Sequence, residues 1–363
     1  MKEKLAFVQI LVLIHMVQIG LTLFRFPRLE ANYFGTNGWV SLLICFAAAM
    51  ANIALILPII RLGGGRSPFA IMEQSLSRHA LFPLYLVLAG VWGMLASLAA
   101  MEYIQILKMV TFPALNPVVL AVLLGVLSYY LLSKGVYNFS KAAVVFFLLS
   151  VWLMLFLFYF YKEFEWARMT PFLFKESHHM GIGFLSIYPT FLGYELIMLL
   201  APYARARSNL VKAAGWSTAL SLVQYTYLGI VCFGMFSLEQ LRRSVYPVLD
   251  LMSIVKFPFV ERIENLFYGF FLFSNMMTTV VYYWAATQAA GRIVDKWHPK
   301  WTGGLVIAAS VGFSLIPKTQ HDTETWLRYA GFAAVAAAFG LTVVLLGFLL
   351  IQQGRRRAAR DQT

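Results

Sequence analysis

Long apolar runs separated by short clusters of charge recur along the whole chain. At about twenty mainly apolar residues each, they predict ten membrane-spanning segments: 5–34, 38–60, 81–108, 117–133, 140–161, 181–203, 210–237, 260–291, 302–316 and 329–352. The ninth is short, and the alternation of charge between the segments requires it. Two segments are interrupted. Segment one contains Gly20-Leu-Thr-Leu-Phe-Arg25-Phe-Pro27-Arg28, and segment six carries Gly181, Gly183, Ser186, Pro189 and Gly193 within thirteen residues. Hydrocarbon tolerates freed backbone only where it is buried in protein or lines a cavity. Interrupted helices at corresponding positions of two halves point to an inverted-repeat transporter fold with its site near the midplane. The predicted fold is therefore an all-α polytopic membrane protein of five plus five helices, residues 1–180 and 181–363, with helices 1 and 6 broken.

Segment eight adds a polar stripe. Asn275, Thr279 and Tyr283, with Ser274 and Tyr282 adjoining, fall on one helical face. Such a stripe either glues helices together or, opposite a broken helix, forms the wall of a polar pocket.

Charge gives the orientation. Lys2, Lys4, Arg61, Arg66, Arg78, Lys134, Lys141, Arg205, Arg207, Lys212, Arg292, Lys296, Lys300, Arg355, Arg356, Arg357 and Arg360 fall at the ends and in alternate loops of one side, 17 basic residues against the four acids Glu3, Glu73, Asp295 and Asp361. The other side holds most of the acids, so both termini are predicted to be cytoplasmic, as an even number of spans requires. Gly63-Gly64-Gly65 leads into an interfacial stretch, Pro68–His79. The stretch from Leu238 to Glu264 reads either as a partly helical lid or as a solvated connector.

Composition narrows the function. The chain has 363 residues, 60% hydrophobic and 12% charged, with mean hydropathy +0.73, far from the balance of a soluble domain. The net charge of +13 follows from loops that orient spans, and nucleic-acid binding is not expected. Cys45 and Cys232 sit inside apolar runs as small apolar residues. The histidines are scattered, and no metal-ligand spacing, nucleotide loop or nucleophile elbow appears. Neither a cofactor, a metal nor an enzymatic activity is expected.

Four ionisable residues stand out within spans: Arg25, Arg28, Glu102 and Glu195. Each is costly if left unpaired in hydrocarbon, so they are expected to face the interior, with Arg25 or Arg28 balanced by Glu102 or Glu195. Snorkelling to the interface is the alternative for Arg28 and Glu102. Glu195 follows Gly193-Tyr194, although Arg205 lies near enough for an inner-interface position.

The run Gly20 to Arg28, the segment Phe191-Leu-Gly-Tyr-Glu195 with Pro202 and a basic loop after it, and above all Tyr246-Pro-Val-Leu-Asp250 with Phe257-Pro-Phe-Val-Glu261-Arg262-Ile-Glu264 resemble the B subunits of spore nutrient-germinant receptors. The resemblance covers essentially the whole chain. It implies the amino acid, polyamine and organocation superfamily and a LeuT-like fold, a place in the inner membrane of the bacterial spore among its lipids, assembly with A and C receptor subunits, and sensing of a small nutrient, often an amino acid. It also implies a pocket between segments one, three, six and eight. Carried to matching positions, that pocket would involve Gly20 and Thr22, Leu95 or Ser97, Leu192 and Gly193, and Thr279 with Tyr283. Some members have glycine where Thr22 stands and a small polar residue where Arg25 stands, and Pro189 is a further departure, so the ligand is this chain's own.

The expectation is thus a nutrient-receptor subunit. The ligand's carboxylate would be met by backbone N–H groups around Gly20 to Thr22 and its side chain sorted by Leu95, Leu192 and Tyr283. The alternatives are a proton-coupled amino acid permease with Glu195 as proton carrier, and a subunit that only supports an ion-conducting partner.

Overall fold

A computed structural model describes residues 4–206, 208–255, 262–294 and 297–360. Lys2, Glu3, Arg207, Asp295, Lys296 and Asp361 of the charge pattern, and Phe257–Glu261 of the motif behind the resemblance, lie outside the described residues. Within them the chain is mostly helical, and the one extended contact is a parallel bridge between Leu5 and Ala204.

Each predicted segment falls on a helix or a bent pair of helices. The first pair is α1 (Phe7–Thr22) and α2 (Phe26–Phe34), bent by 63°. Pro27 stands at the start of α2, where its missing N–H costs nothing to the new helix and ends the hydrogen bonding of the old one. Then come α3 (Ser41–Leu62), the short α4 (Pro68–Met72), α5 (Arg78–Val110), α6 (Pro117–Ser133) and α7 (Val136–Ser150), which tightens into a 3₁₀ continuation over Val151–Lys162. The second broken segment starts as α8 (Met180–Ile187), turns through Tyr188–Phe191, bends by 51° at Gly193 and continues over Tyr194–Tyr203 around α9 (Ile197–Leu200). The remainder is α10 (Ser208–Met235), α11 (Leu238–Arg243), α12 (Pro247–Ile254), α13 (Ile263–Ile293), α14 (Pro299–Ser314) and α15 (Gln320–Arg360).

Among the described residues, five helices are long and apolar enough to cross a membrane, and up to seven crossings result if each bent pair counts as one. The other three predicted segments are α6 and α14, with 17 and 16 residues, and α13, which carries the polar stripe. The last segment begins earlier than its hydropathy indicates. Predicted from residue 329, it starts at Gln320 and brings Asp322, Glu324 and Arg328 onto the helix.

The break-bearing α1 lies at the centre, packed by α7, α10 and α13, while α5 and α13 pack along each other. Short polar caps start the helices around it: the Ser67, Ser77 and Asn116 side chains accept from the backbone N–H groups of Ala70, Ala80 and Val118. Both chain ends lie at one end of the bundle. There Leu5 N–H donates to Tyr203 O at 2.8 Å, Glu73 pairs with Arg292 at 3.1 Å, and Gln352 reaches Ile71 O and Ser75 Oγ. At the opposite end, α11 and α12 bury Leu241, Val248, Leu251 and Met252. The Leu238–Glu264 stretch is therefore packed helix over its described part rather than a solvated connector.

Candidate functional site

The two breaks meet. Thr22 Oγ1 lies 3.0 Å from Thr190 Oγ1, and a Cβ on Gly193 would stand 2.8 Å from Val17 Cγ1. Gly193 takes a φ of 119°, open to glycine and strained for other residues, so the second break has both a conformational and a steric reason for its glycine. Between the halves, Gln18 uses its whole amide. Nε2 donates to Phe191 O at 2.8 Å and Thr218 Oγ1 at 3.0 Å, while Oε1 accepts from Ser221 at 2.7 Å and Ser217 at 3.4 Å. His15 joins the network through Nδ1 to Ser221 Oγ, at 2.8 Å. Gln18→Leu is expected to destabilise by about 1–3 kcal/mol, because the Phe191 carbonyl and three hydroxyls lose a buried partner. Thermal unfolding of the purified variant checks this, and a midpoint equal to the parent's would contradict it.

Beside the breaks lies a cavity of about 360 Å³, within the range of small-molecule sites. Thr22, Arg25, Arg28 and Leu95, all anticipated, line it. Ser186 and Pro189 of the second broken segment close one side, and the start of α15, through Glu324, Leu327, Arg328 and Gly331, closes another. It sits toward the end of the bundle opposite the chain termini, beside Arg242 of α11.

Eight anticipated residues do not line this cavity: Gly20, Ser97, Glu102, Leu192, Gly193, Glu195, Thr279 and Tyr283. For helix eight the reason is contact. A Cβ on Gly20 would overlap Thr278 Oγ1 and come within 2.7 Å of the Ser274 carbonyl oxygen, so Gly20 exists to let α13 press against α1. Thr278 Oγ1 donates to Val17 O at 2.9 Å, and Asn275 Nδ2 bridges Gly20 O and Ala99 O at 3.2 and 3.0 Å. Thr279 donates to Asn275 O, one turn back. The stripe is helix-to-helix glue along this seam, and α15 takes the place expected of helix eight as a cavity wall. Ser97 and Tyr283 are buried on α5 and α13, and Leu192 in the second break.

The charges pair differently from the expectation in one respect. Arg25 Nε stands 3.3 Å from Glu102 Oε1, with both side chains under a tenth exposed. The contact is ionic, because neither atom meets hydrogen-bond geometry with any partner. Arg28, however, reaches across the cavity to Glu324 at 2.6 Å, joining α2 to α15. Glu195 has no arginine among the described residues. Its carboxylate accepts from Gly193 N–H at 2.7 Å and from the Tyr282 hydroxyl at 3.2 Å, which fastens the second break to α13. Arg242 is held by Glu176 and Ala31 O. Arg328 has no ion-pair partner among the described residues and lies over its neighbour Tyr329, 5.4 Å from the ring centroid. Four arginines and one glutamate therefore face the cavity.

Glu324 and Arg328 escaped the sequence reading because they precede the apolar run of the last segment. Gln18 carried a usable signal, a lone amide in the middle of a span. Among the described residues, no group of three or more His, Cys, Asp or Glu side chains is placed to hold a metal.

Two bent helices meeting beside a cavity define the class: a polytopic membrane protein of transporter architecture. The solved manganese transporter of Eremococcus coleocola, in complex with an aromatic bis-isothiourea substituted compound, superposes with a TM-score of 0.62 at 14% identity, covering 95% of this chain and 78% of the transporter. A glutamate-to-alanine mutant of that transporter gives 0.60 at 13% identity, with the same coverage. At that identity the likeness is one of fold. Residues 4–323 match the spore germination protein family, and the chain belongs to it. It is 26% identical over 284 residues to the spore germination protein GerQB of Bacillus cereus, covering 74% of this chain and 75% of the relative. It is 24% identical over 344 residues to spore germination protein B2 of Bacillus subtilis strain 168, covering 92% and 85%.

Proposed function

We propose that the chain is a nutrient-sensing subunit of a germinant receptor in the spore inner membrane, working with A and C subunits and with both termini on the core side. The observation that carries this reading is the cavity at the two helix breaks, small enough for one nutrient molecule and rich in arginine. On this reading residues 1–180 and 181–363 are two repeats, each opening with its broken helix. An amino acid's carboxylate is drawn to the arginine wall, where Arg328 is the cation without an ion-pair partner among the described residues. Its side chain lies against Leu21, Leu29, Leu95 and Leu327.

The cavity sits between α2, α8 and α15. A ligand that binds one of their arrangements more tightly favours that arrangement, and a signal to the partner subunits requires that difference in affinity. A permease of the same fold would use the same cavity, and concentrative uptake that collapses with the proton gradient distinguishes it.

Filling the cavity is the direct test. Ser186→Phe and Thr325→Phe, both at residues that line the cavity, tested in spores, are expected to weaken the response to the cognate nutrient about tenfold or more, since roughly 1.4 kcal/mol of lost binding is a factor of ten. The receptor complex should remain at normal abundance. An unchanged dose–response with both variants would exclude this cavity as the nutrient site.

A further inference from the structure

The face of α2 turned away from the cavity carries Phe26, Glu30 and Phe34, one turn apart and each fully buried. Phe26 meets Tyr225 edge-on at 4.9 Å between centroids, and Phe34 meets Phe184 at 4.7 Å. Between these aromatic contacts the Glu30 carboxyl group lies against α10 at Gly229, where an added Cβ would stand 3.4 Å from Glu30 Oε2. Gly38 closes over the Glu30 backbone, its Cβ position 2.7 Å from Glu30 O. Among the described residues neither carboxyl oxygen has a hydrogen-bond partner, and Glu30 makes no ion pair. Every other buried glutamate near the cavity is answered by a charge or by donors: Glu102 by Arg25, Glu195 by Gly193 and Tyr282.

A carboxylate withdrawn from water without a cation or a donor is not sustained as an ion, and the group neutralises instead. We propose that Glu30 is a proton-binding site that locks α2 in place: the carboxyl group carries a proton while the Phe26–Glu30–Phe34 face is docked, and releases it when that face opens to water. Because Arg25 and Arg28 border the cavity at the start of this same nine-residue helix, undocking α2 displaces the cavity wall together with the proton site. The inference holds for a receptor and for a permease alike, and its failure leaves the nutrient site untouched.

The groups around α2 that titrate or carry charge are accounted for. Cys45 of α3 and Cys232 of α10 are buried thiols, and the Tyr225 hydroxyl of α10 donates to Gln18 O at 2.9 Å. Arg242 of α11 is committed to Ala31 O and Glu176, and Asp250 of α12 is bonded by Ser244. Lys175, beside Gly35 through its backbone carbonyl, belongs to the loop over the end of α2. The Gly38–Val40 turn and α8 contribute no titratable side chain.

The test uses the purified full chain in lipid nanodiscs. Infrared difference spectra between mildly acidic and alkaline buffer should contain a protonated-carboxyl band that disappears in Glu30→Gln and persists in Glu195→Gln. In thermal unfolding, Glu30→Gln should match the parent in acid and melt progressively higher than the parent as pH rises. The sign follows from linkage: a proton held in the folded state and lost on unfolding makes the parent's stability fall with increasing pH. Glu30→Met, which keeps bulk without charge, should fold as well. A carboxyl band unaffected by Glu30→Gln, parallel melting curves, or failure of both neutral variants to fold would each overturn the proposal.

Discussion

Gly20→Ala is expected to destabilise the protein while Gly347→Ala leaves it unchanged or slightly firmer. The first methyl group would be driven into the Ser274 carbonyl and the Thr278 hydroxyl; around Gly347 nothing lies within 4 Å. Overpacking a tight contact costs about 1–3 kcal/mol, and here the obstacle at 2.7 Å is backbone, which cannot rotate aside. Relief would require α13 to move off α1, stretching the Thr278 to Val17 and Asn275 to Gly20 hydrogen bonds along the same seam. At an open helical position alanine is instead favoured over glycine by up to about 1 kcal/mol. Thermal unfolding of the two variants in one detergent checks the difference. If Gly20→Ala melted with Gly347→Ala, Gly20 would not be a packing glycine, and its role as a ligand-facing backbone position would return.

That contrast shows what the sequence could and could not convey. The two breaks were legible because glycine and proline within apolar runs have few physical explanations. The pocket's partners were not. A glycine near a break reads equally as space for a ligand or as space for a helix, and only the position of Ser274 and Thr278 decides for the helix. The polar stripe of α13 was found at the right spacing, and both of its readings were open until its hydroxyls and amide were seen to end on carbonyls of α1, α5 and α13 itself. The α15 wall was missed for a different reason. Glu324 and Arg328 stand on the first turns of a helix whose hydropathy rises only later, so a charge count assigned them to a loop. Glu30 falls inside predicted segment one but was not singled out with Arg25, Arg28, Glu102 and Glu195, because position after a break resembles position after a membrane. Its burial is set by α10 and the Gly38–Val40 turn, which no local pattern reveals.

The Arg25–Glu102 pair yields the largest expected effect. Glu102→Gln or Arg25→Met alone leaves one uncompensated charge in a site where both side chains are under a tenth exposed. Breaking a buried pair from one side costs about 3–5 kcal/mol, whereas replacing both partners with neutral groups is often close to neutral. The double variant is therefore expected to recover most of the stability that either single change removes, and the cycle should show a coupling well above the spread of independent sites, about 0.3–0.5 kcal/mol. Arg28 supplies the contrast. Its partner Glu324 is about 15% exposed on its side chain and Arg28 about 17%, so water and the cavity share the load, and Arg28→Met should cost less. Strict additivity of Arg25→Met and Glu102→Gln would mean that the 3.3 Å contact carries no energy. The absence of a hydrogen bond within it would then be the telling fact, leaving Arg25 Nε free for the ligand. Strong coupling gives the other outcome: the pair fastens the break in the first helix to α5, and the Arg25 charge at the cavity wall is already balanced.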